Sequence, residues 1–511
     1  MMKTAKSHYL NRMCSSILIL LLMLTCSWGF DHSEFPMLQG PFEKATEVTQ
    51  ACLMCHPDAS KQMMATTHWT WEYETKDGQK LGKNNVINNY CVAVSSNWPR
   101  CTSCHVGYGY TNNETFAAMD ETKVDCLVCH DQTGKYKKFP TAAGDPTYTD
   151  KTFPAGPGAP YAKPWPAVDL AAAATSVGKP TRQNCGSCHF DGGGGPNVKH
   201  GDLDNSLKNP SHDVDVHMAS DGLNFSCQTC HTYNEHQIAG SRYEMDLKGD
   251  TGLKTCKTCH KDHVHQTEAV NHHTDRLACQ TCHIPVYAKK NYVKTWWDWS
   301  TAGELKDGTG DFEGQKVWKV TKDENGNKNY MSPKGTFEWD KALTPEYTWF
   351  NGDTTYITLD DEIDPNGIAA INTMVGDKDD PDSVIFPIRS FTGMQPYDAG
   401  TNKLVVPNLF PTNPATAYWK NWDWAKAIEG GQASVGREFS GEYGFAMTVM
   451  YWPMTHQVSP AKDALTCYDC HTKDGVMDFA ALGYDEERIS VLTSFLPEMP
   501  DCVTEDASAL E

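Results

Sequence analysis

Eight times along the chain, two cysteines flank two residues and a histidine follows at once. The pairs are Cys52/Cys55, Cys101/Cys104, Cys126/Cys129, Cys185/Cys188, Cys227/Cys230, Cys256/Cys259, Cys279/Cys282 and Cys467/Cys470. The histidines after them are His56, His105, His130, His189, His231, His260, His283 and His471. Two thiols at this spacing can form thioethers to the two vinyl groups of a haem, and the adjacent imidazole then reaches the iron from one face. Zinc ribbons do not require a histidine directly after each second cysteine, and their pairs work two at a time. A redox dithiol would occur once rather than eight times, and disulfides impose no regular spacing. The motif set therefore implies eight covalently attached haems.

Each six-coordinate haem needs a second axial ligand, usually histidine in electron-transfer cytochromes. Beyond the motifs, residues 30 to 511 hold eleven further histidines: His32, His68, His200, His212, His217, His236, His263, His265, His272, His273 and His456. That is enough for eight irons with about three spare. The pairs His212/His217, His263/His265 and His272/His273 each compete for one role. Two strong ligands on every iron make an electron wire, whereas one weak or replaceable ligand makes a reaction site.

Elements must hold these groups. Residues 1–29 carry Lys3, Lys6 and Arg12, the apolar run Ile17 to Leu24 and a small-x-small Ser27-Trp28-Gly29 site, which read as a cleaved signal peptide for export to the periplasm. The run is shorter than the ~20 residues of a membrane span, and no later stretch is continuously apolar. Cys26 lacks the small residue expected before a lipidated cysteine. Seven motifs crowd into 30–283, residues 284–466 have none, and 467–511 carry the eighth with a tail.

The haem-free stretch, with Trp296-Trp297-Asp298-Trp299 and an Asn325-Gly326 turn, reads as short hairpins and loops scaffolding the haem stack, its tryptophans packing on porphyrin faces. Residues 139–180 are rich in proline and end in the Ala171–Ala174 run, which reads as irregular loop closing in a short helix. The expected fold is mainly α with extensive irregular coil and a few short hairpins, organised around a packed haem array. Only 39% of residues are hydrophobic, so the macrocycles supply apolar bulk. The net charge of -21 excludes a nucleic-acid binder, which needs a basic face.

Several stretches carry a family likeness: Gly40-Pro41-Phe42, His68-Trp69-Thr70-Trp71, the motif contexts at 124–131 and 184–190, the glycine run with Val198-Lys199-His200-Gly201-Asp202-Leu203-Asp204, residues 215–218 and 278–285, and 297–303. Together with the isolated C-terminal motif, they make the chain resemble the octahaem tetrathionate reductase family of cytochromes c. The resemblance implies seven bis-histidine haems and one reactive haem, here held by Cys101 and Cys104, with His105 proximal and Lys199 distal. The remaining distal ligands would be His68, His200, His217, His236, His265, His273 and His456, with their pairings open. An amine must lose its proton to bind iron, so burial would favour Lys199 in this role.

By the same resemblance Cys91 lies near the reactive haem, where a thiolate could attack a sulfur–sulfur bond. A buried bystander, or a disulfide with Cys502, is the alternative. The implied function is a periplasmic reductase that splits tetrathionate into two thiosulfates. Its electrons would come from a donor protein or a quinol-linked cytochrome. A nitrite- or hydroxylamine-converting octahaem enzyme is the second class, although the Cys-x-x-Cys-Lys motif of dedicated nitrite reductases is absent and no cross-linking tyrosine is identifiable. A non-enzymatic electron-transfer protein is the third. Related enzymes also suggest a Ca2+ ion near the reactive haem, but no loop has a calcium-binding spacing.

Overall fold

The computed structural model describes residues 31–88, 92–153, 163–191, 195, 197–261, 263–305, 311–312, 315–316, 318–411 and 413–494. The signal-peptide reading, Cys91 and Cys502 lie outside them. Helix accounts for 25% and strand for 21%, so the multihaem cytochrome fold holds but helix does not dominate it. The haem motifs explain the shortness of the helices. Two cysteines at i and i+3 need one helical turn to face the same way, and once that turn is made nothing in these motifs sustains a longer amphipathic face.

Such turns occur at Leu127–His130, Cys227–Cys230, Cys256–His260, Cys279–His283 and Cys467–Cys470. Helix α1 (Ala45–Leu53) carries Cys52 at its end. Helix α2 (Thr67–Thr70) carries His68 and ends with Trp71 in the left-handed region. Helix α3 (Arg182–His189) starts on a Thr181 side chain that accepts from the Asn184 N–H, a capping arrangement that satisfies otherwise orphaned donors. Helix α4 (Glu268–His273) carries His272 and His273 in its last turn. Cys101–Cys104 differs: it forms a 3-10 turn, with His105 extended at its end.

The stretch without haem motifs builds a nine-stranded sheet rather than scattered hairpins. Its strands are β1 (Val293–Asp298), β2 (Val320–Lys322), β3 (Lys328–Met331), β4 (Gly335–Asp340), β5 (Glu346–Phe350), β6 (Ile368–Ala370), β7 (Val384–Asp398), β8 (Lys403–Leu404) and β9 (Tyr443–Pro453). Their order is β2-β3-β4-β1-β7-β9-β6, with β5 and β8 also paired to β7. The Asn325-Gly326 turn does join β2 to β3, with Gly326 at φ 82°, a sign that glycine adopts without strain.

Trp297 and Trp299 stack on each other at 4.8 Å inside the sheet core, against Phe337 and Trp424. The expectation that they cover porphyrin faces is thus replaced by an aromatic core of their own. That core also takes in Leu81, Val86, Ile87, Val92 and Val198 from the haem-bearing part. Burial of these shared side chains welds the sheet to the segment that carries Lys199.

Candidate functional site

Six motif histidines each face one histidine from outside the motifs. Ring-centroid separations are 6.4 Å for His56 and His32, 6.2 Å for His189 and His68, 5.9 Å for His260 and His217, 6.3 Å for His231 and His456, 6.1 Å for His283 and His265, and 6.0 Å for His471 and His273. Two metal–imidazole bonds of about 2 Å each, plus the distance from each nitrogen to its ring centre, separate two centroids by about 6 Å. Ordinary aromatic pairs span this range too. The selectivity is what argues for iron, since each pair joins one motif histidine to one non-motif histidine. For the seventh motif, His130 lies near enough to His236 to lower its pKa, after burial.

The polypeptide covers the attachment cysteines to different extents. Cys55, Cys230 and Cys259 are exposed, whereas Cys470 is buried and the other motif cysteines are half-buried. Cys55 lies past the end of α1, and its neighbours Met54, His56 and Pro57 are exposed with it. Cys259 sits in the one-turn helix Cys256–His260, none of whose residues is buried. The first cysteines of these two motifs, Cys52 and Cys256, are half-buried.

The ring nitrogens agree with the fit to iron. His130 Nδ1 bonds the Gly178 carbonyl, His231 Nδ1 that of Ala239 and His471 Nδ1 that of Leu492, each at 2.9 Å. On the opposing side His236 Nδ1 meets Gln62 Oε1 at 2.9 Å and His273 Nδ1 meets the Ala269 carbonyl at 2.8 Å. His456 Nδ1 meets Asp202 Oδ2 at 3.1 Å. Tying Nδ1 fixes the tautomer and leaves Nε2 to bind metal, which is the usual way a protein orients a ligating imidazole. Burial would push His456 down, but Asp202 holds it above its ordinary value.

His105 breaks the pattern. Its Nε2 sits 2.7 Å from the Trp69 carbonyl, and its Nδ1 is buried without a hydrogen-bond partner. Trp69, Trp71, Tyr110 and Phe116 box the ring at 4.9, 5.3, 5.1 and 5.6 Å. Burial in this aromatic box drives its pKa down to about 3. Helix α2 therefore serves two centres: His68 faces His189, and the next residue's carbonyl holds His105.

Lys199 and His200 are half-buried. Burial pushes the Lys199 pKa well below its ordinary value, and the nearby Lys83 and Arg242 push the same way. Burial, Lys199 and Arg242 likewise depress His200. Three basic groups converge on one buried indole, Trp452: Lys199 Nζ at 5.5 Å, the His200 ring at 4.5 Å and the Arg242 guanidinium at 3.7 Å from its centre. Lys83 Nζ lies 4.7 Å over Trp71, the ring that packs edge-on against His105.

Of the histidines singled out from sequence, His68, His217, His265, His273 and His456 stand across from motif partners, and His236 stands beside one. His200 faces Trp452 instead. His32, which the sequence reading left among the spares, faces His56, and only its closeness in sequence to that motif could have marked it. His212, His263 and His272 are exposed. Nothing in the sequence marked Lys83, Arg242 or Trp452, because their convergence is made by the fold. Among the described residues no group of three or more His, Cys, Asp or Glu is arranged to hold a metal ion, and no helix is long and apolar enough to cross a membrane.

The family model for bacterial cytochrome c matches residues 294–474. An uncharacterised protein of Archaeoglobus fulgidus is 24% identical over 233 residues, 38% of this chain and 75% of that protein. The crystal structure of octaheme cytochrome c from Shewanella oneidensis superimposes with a TM-score of 0.78 at 42% identity, covering 90% of this chain and 97% of that one. With that extent of shared sequence and fold, and eight motifs in the same chain, the protein belongs to the octahaem tetrathionate reductase family of multihaem cytochromes c.

Proposed function

We propose that this chain reduces tetrathionate to two thiosulfates at the haem site of Cys101 and Cys104, with Lys199 as its displaceable distal ligand. The observation that carries the reading is the setting of Lys199. Burial and the neighbouring cations Lys83 and Arg242 favour its neutral amine, the form with a lone pair to offer. A haem attached there would supply electrons from its iron to an oxyanion that takes the amine's place.

The surrounding charges suit that exchange. Lys83 and Arg242 give the surroundings of Lys199 a positive field in an otherwise acidic protein, which concentrates a dianion where net charge would repel it. Cleavage of one sulfur–sulfur bond in tetrathionate takes up two electrons and no proton, so the neutral, desolvated His200 is not required as an acid. In this reading His105 would hold that haem from the proximal side, with its ring placed beside the Trp69 carbonyl. The distal set is His32, His68, His217, His236, His265, His273 and His456 with Lys199, and His200 is not a ligand. The link from His68 through Trp69 to His105 is then a short route by which electrons reach the reactive centre.

The test is stopped-flow reoxidation of the fully reduced holoprotein by tetrathionate, nitrite and hydroxylamine in parallel. The proposal expects the fastest turnover with tetrathionate and its loss in Lys199→Ala. Faster turnover with a nitrogen substrate would move the protein to the second class, and no reoxidation by any of the three would leave an electron-transfer protein.

A further inference from the structure

Arg389 of β7 is fully buried. A guanidinium cannot shed its charge in a protein, and burying it is costly unless its donors are satisfied. Its hydrogen bonds run to the main chain of two distant segments: Nη1 donates to the carbonyls of Lys199 at 3.2 Å and Val198 at 3.5 Å, and Nη2 donates to the Lys294 carbonyl. Asp202 and Tyr287 are the nearby groups that favour its charge. A core position that only needed filling would be served more cheaply by an apolar side chain.

The residue directly across the ladder from Arg389 is Trp452 of β9. Side chains opposite one another in an antiparallel pair share a face, and these two grip the same residue from its two ends. Arg389 holds the Lys199 carbonyl, while Trp452 lies beneath its amine at 5.5 Å. The flanks are laced as well: Lys294 N–H donates to the Asn197 carbonyl at 3.2 Å, and Ala288 N–H to that of Gly201 at 2.9 Å.

We infer that Arg389 and Trp452 are positioning residues that form a seat for Lys199, so that the sheet without haem motifs sets how firmly the reactive iron keeps its lysine. The inference rests on Lys199 being the distal ligand. A free lysine side chain spreads over many rotamers. A seat that restricts the backbone and the amine together raises the effective concentration of that amine at the iron, and an incoming ligand must compete with it.

Cyanide binding to the oxidised holoprotein reads this competition at the one haem it can enter. It is measured alongside the low-temperature electron paramagnetic resonance of the amine-ligated and bis-histidine haems. Lys199→Ala sets the limit of unopposed binding. Arg389→Met and Trp452→Ala are expected to tighten cyanide binding roughly tenfold, the worth of about one charge-assisted hydrogen bond. They should diminish the amine-ligated signal and leave the bis-histidine signals intact. Trp452→Phe, which keeps an aromatic face, should return toward the parent. If Arg389→Met does not accumulate as folded holoprotein, Arg389→Lys and the two Trp452 variants carry the same comparison. Parent-like cyanide affinity in the Arg389 and Trp452 variants, with Lys199→Ala shifted, would overturn the seat and leave the ligand standing. An unshifted Lys199→Ala would remove both.

Discussion

Replacing Lys138 by methionine should loosen two haem sites at once. Lys138 Nζ lies 3.0 Å from Asp125 Oδ2, with side-chain exposures of 7% and 0%, and it also donates to the carbonyl of His105. Asp125 precedes Cys126, and its Oδ1 accepts from the Val128 N–H at 3.0 Å inside that motif. The pair therefore ties the turn after one haem motif to the start of the next. Removing one member of a buried ion pair costs about 3–5 kcal/mol. Here Asp125 would keep the Tyr108 and Tyr136 hydroxyls at 2.7 and 3.0 Å, so the lower end, about 3 kcal/mol, is expected.

Asp125→Asn should cost more, about 4 kcal/mol, because the ammonium would lose its ion-pair partner and keep only carbonyls and the Coulombic attraction of Asp145. Urea unfolding of the holoproteins measures both, with a shift in midpoint of roughly 1 M for Lys138→Met. The double variant should lose clearly less than the sum of the two, by at least about 1 kcal/mol. A Lys138→Met midpoint within the error of the parent, or strict additivity in the double variant, would refute the coupling.

Three further outcomes follow from particular contacts. His32→Ala should convert one low-spin haem to high spin, whereas His200→Ala should leave the number of low-spin haems unchanged; magnetic circular dichroism decides, and the reverse result would restore His200 as a ligand. Gly201→Ala would set a Cβ 2.3 Å from the Tyr287 ring and 3.2 Å from Arg389 Cδ, an overpacking worth about 1–3 kcal/mol, visible as a lower Tm. Burial holds Lys289 down to about 8. Between pH 8 and the ordinary lysine value, 10.5, the unfolded chain then binds more protons at this site than the folded one. Its contribution to stability should accordingly rise with pH across that window, and Lys289→Met should remove that component from urea midpoints measured at several pH values.

Attachment of the haems was legible in the sequence because it is local chemistry: two thiols and an imidazole within five residues need only one turn of backbone, whatever the rest of the chain does. The Asn325-Gly326 hairpin and the Ala171–Ala174 helix were legible as local features too, and the structure places them in the β2–β3 turn and in Leu170–Thr175. The long strand β7 was not. Pro387 and Pro396 interrupt it and much of its length is buried on both faces, so neither alternation nor an unbroken β-branched run announces it.

The opposing histidines could be counted but not paired, since an iron site closes between segments far apart in the chain. Counting together with the family resemblance took in His200 and left out His32, while the ring geometry does the reverse. The hold of Arg389 and Trp452 on Lys199 exists only in the folded molecule. Ladder register brings those two residues opposite one another, and the sheet's shared core then presses them against a segment that sequence separates from both.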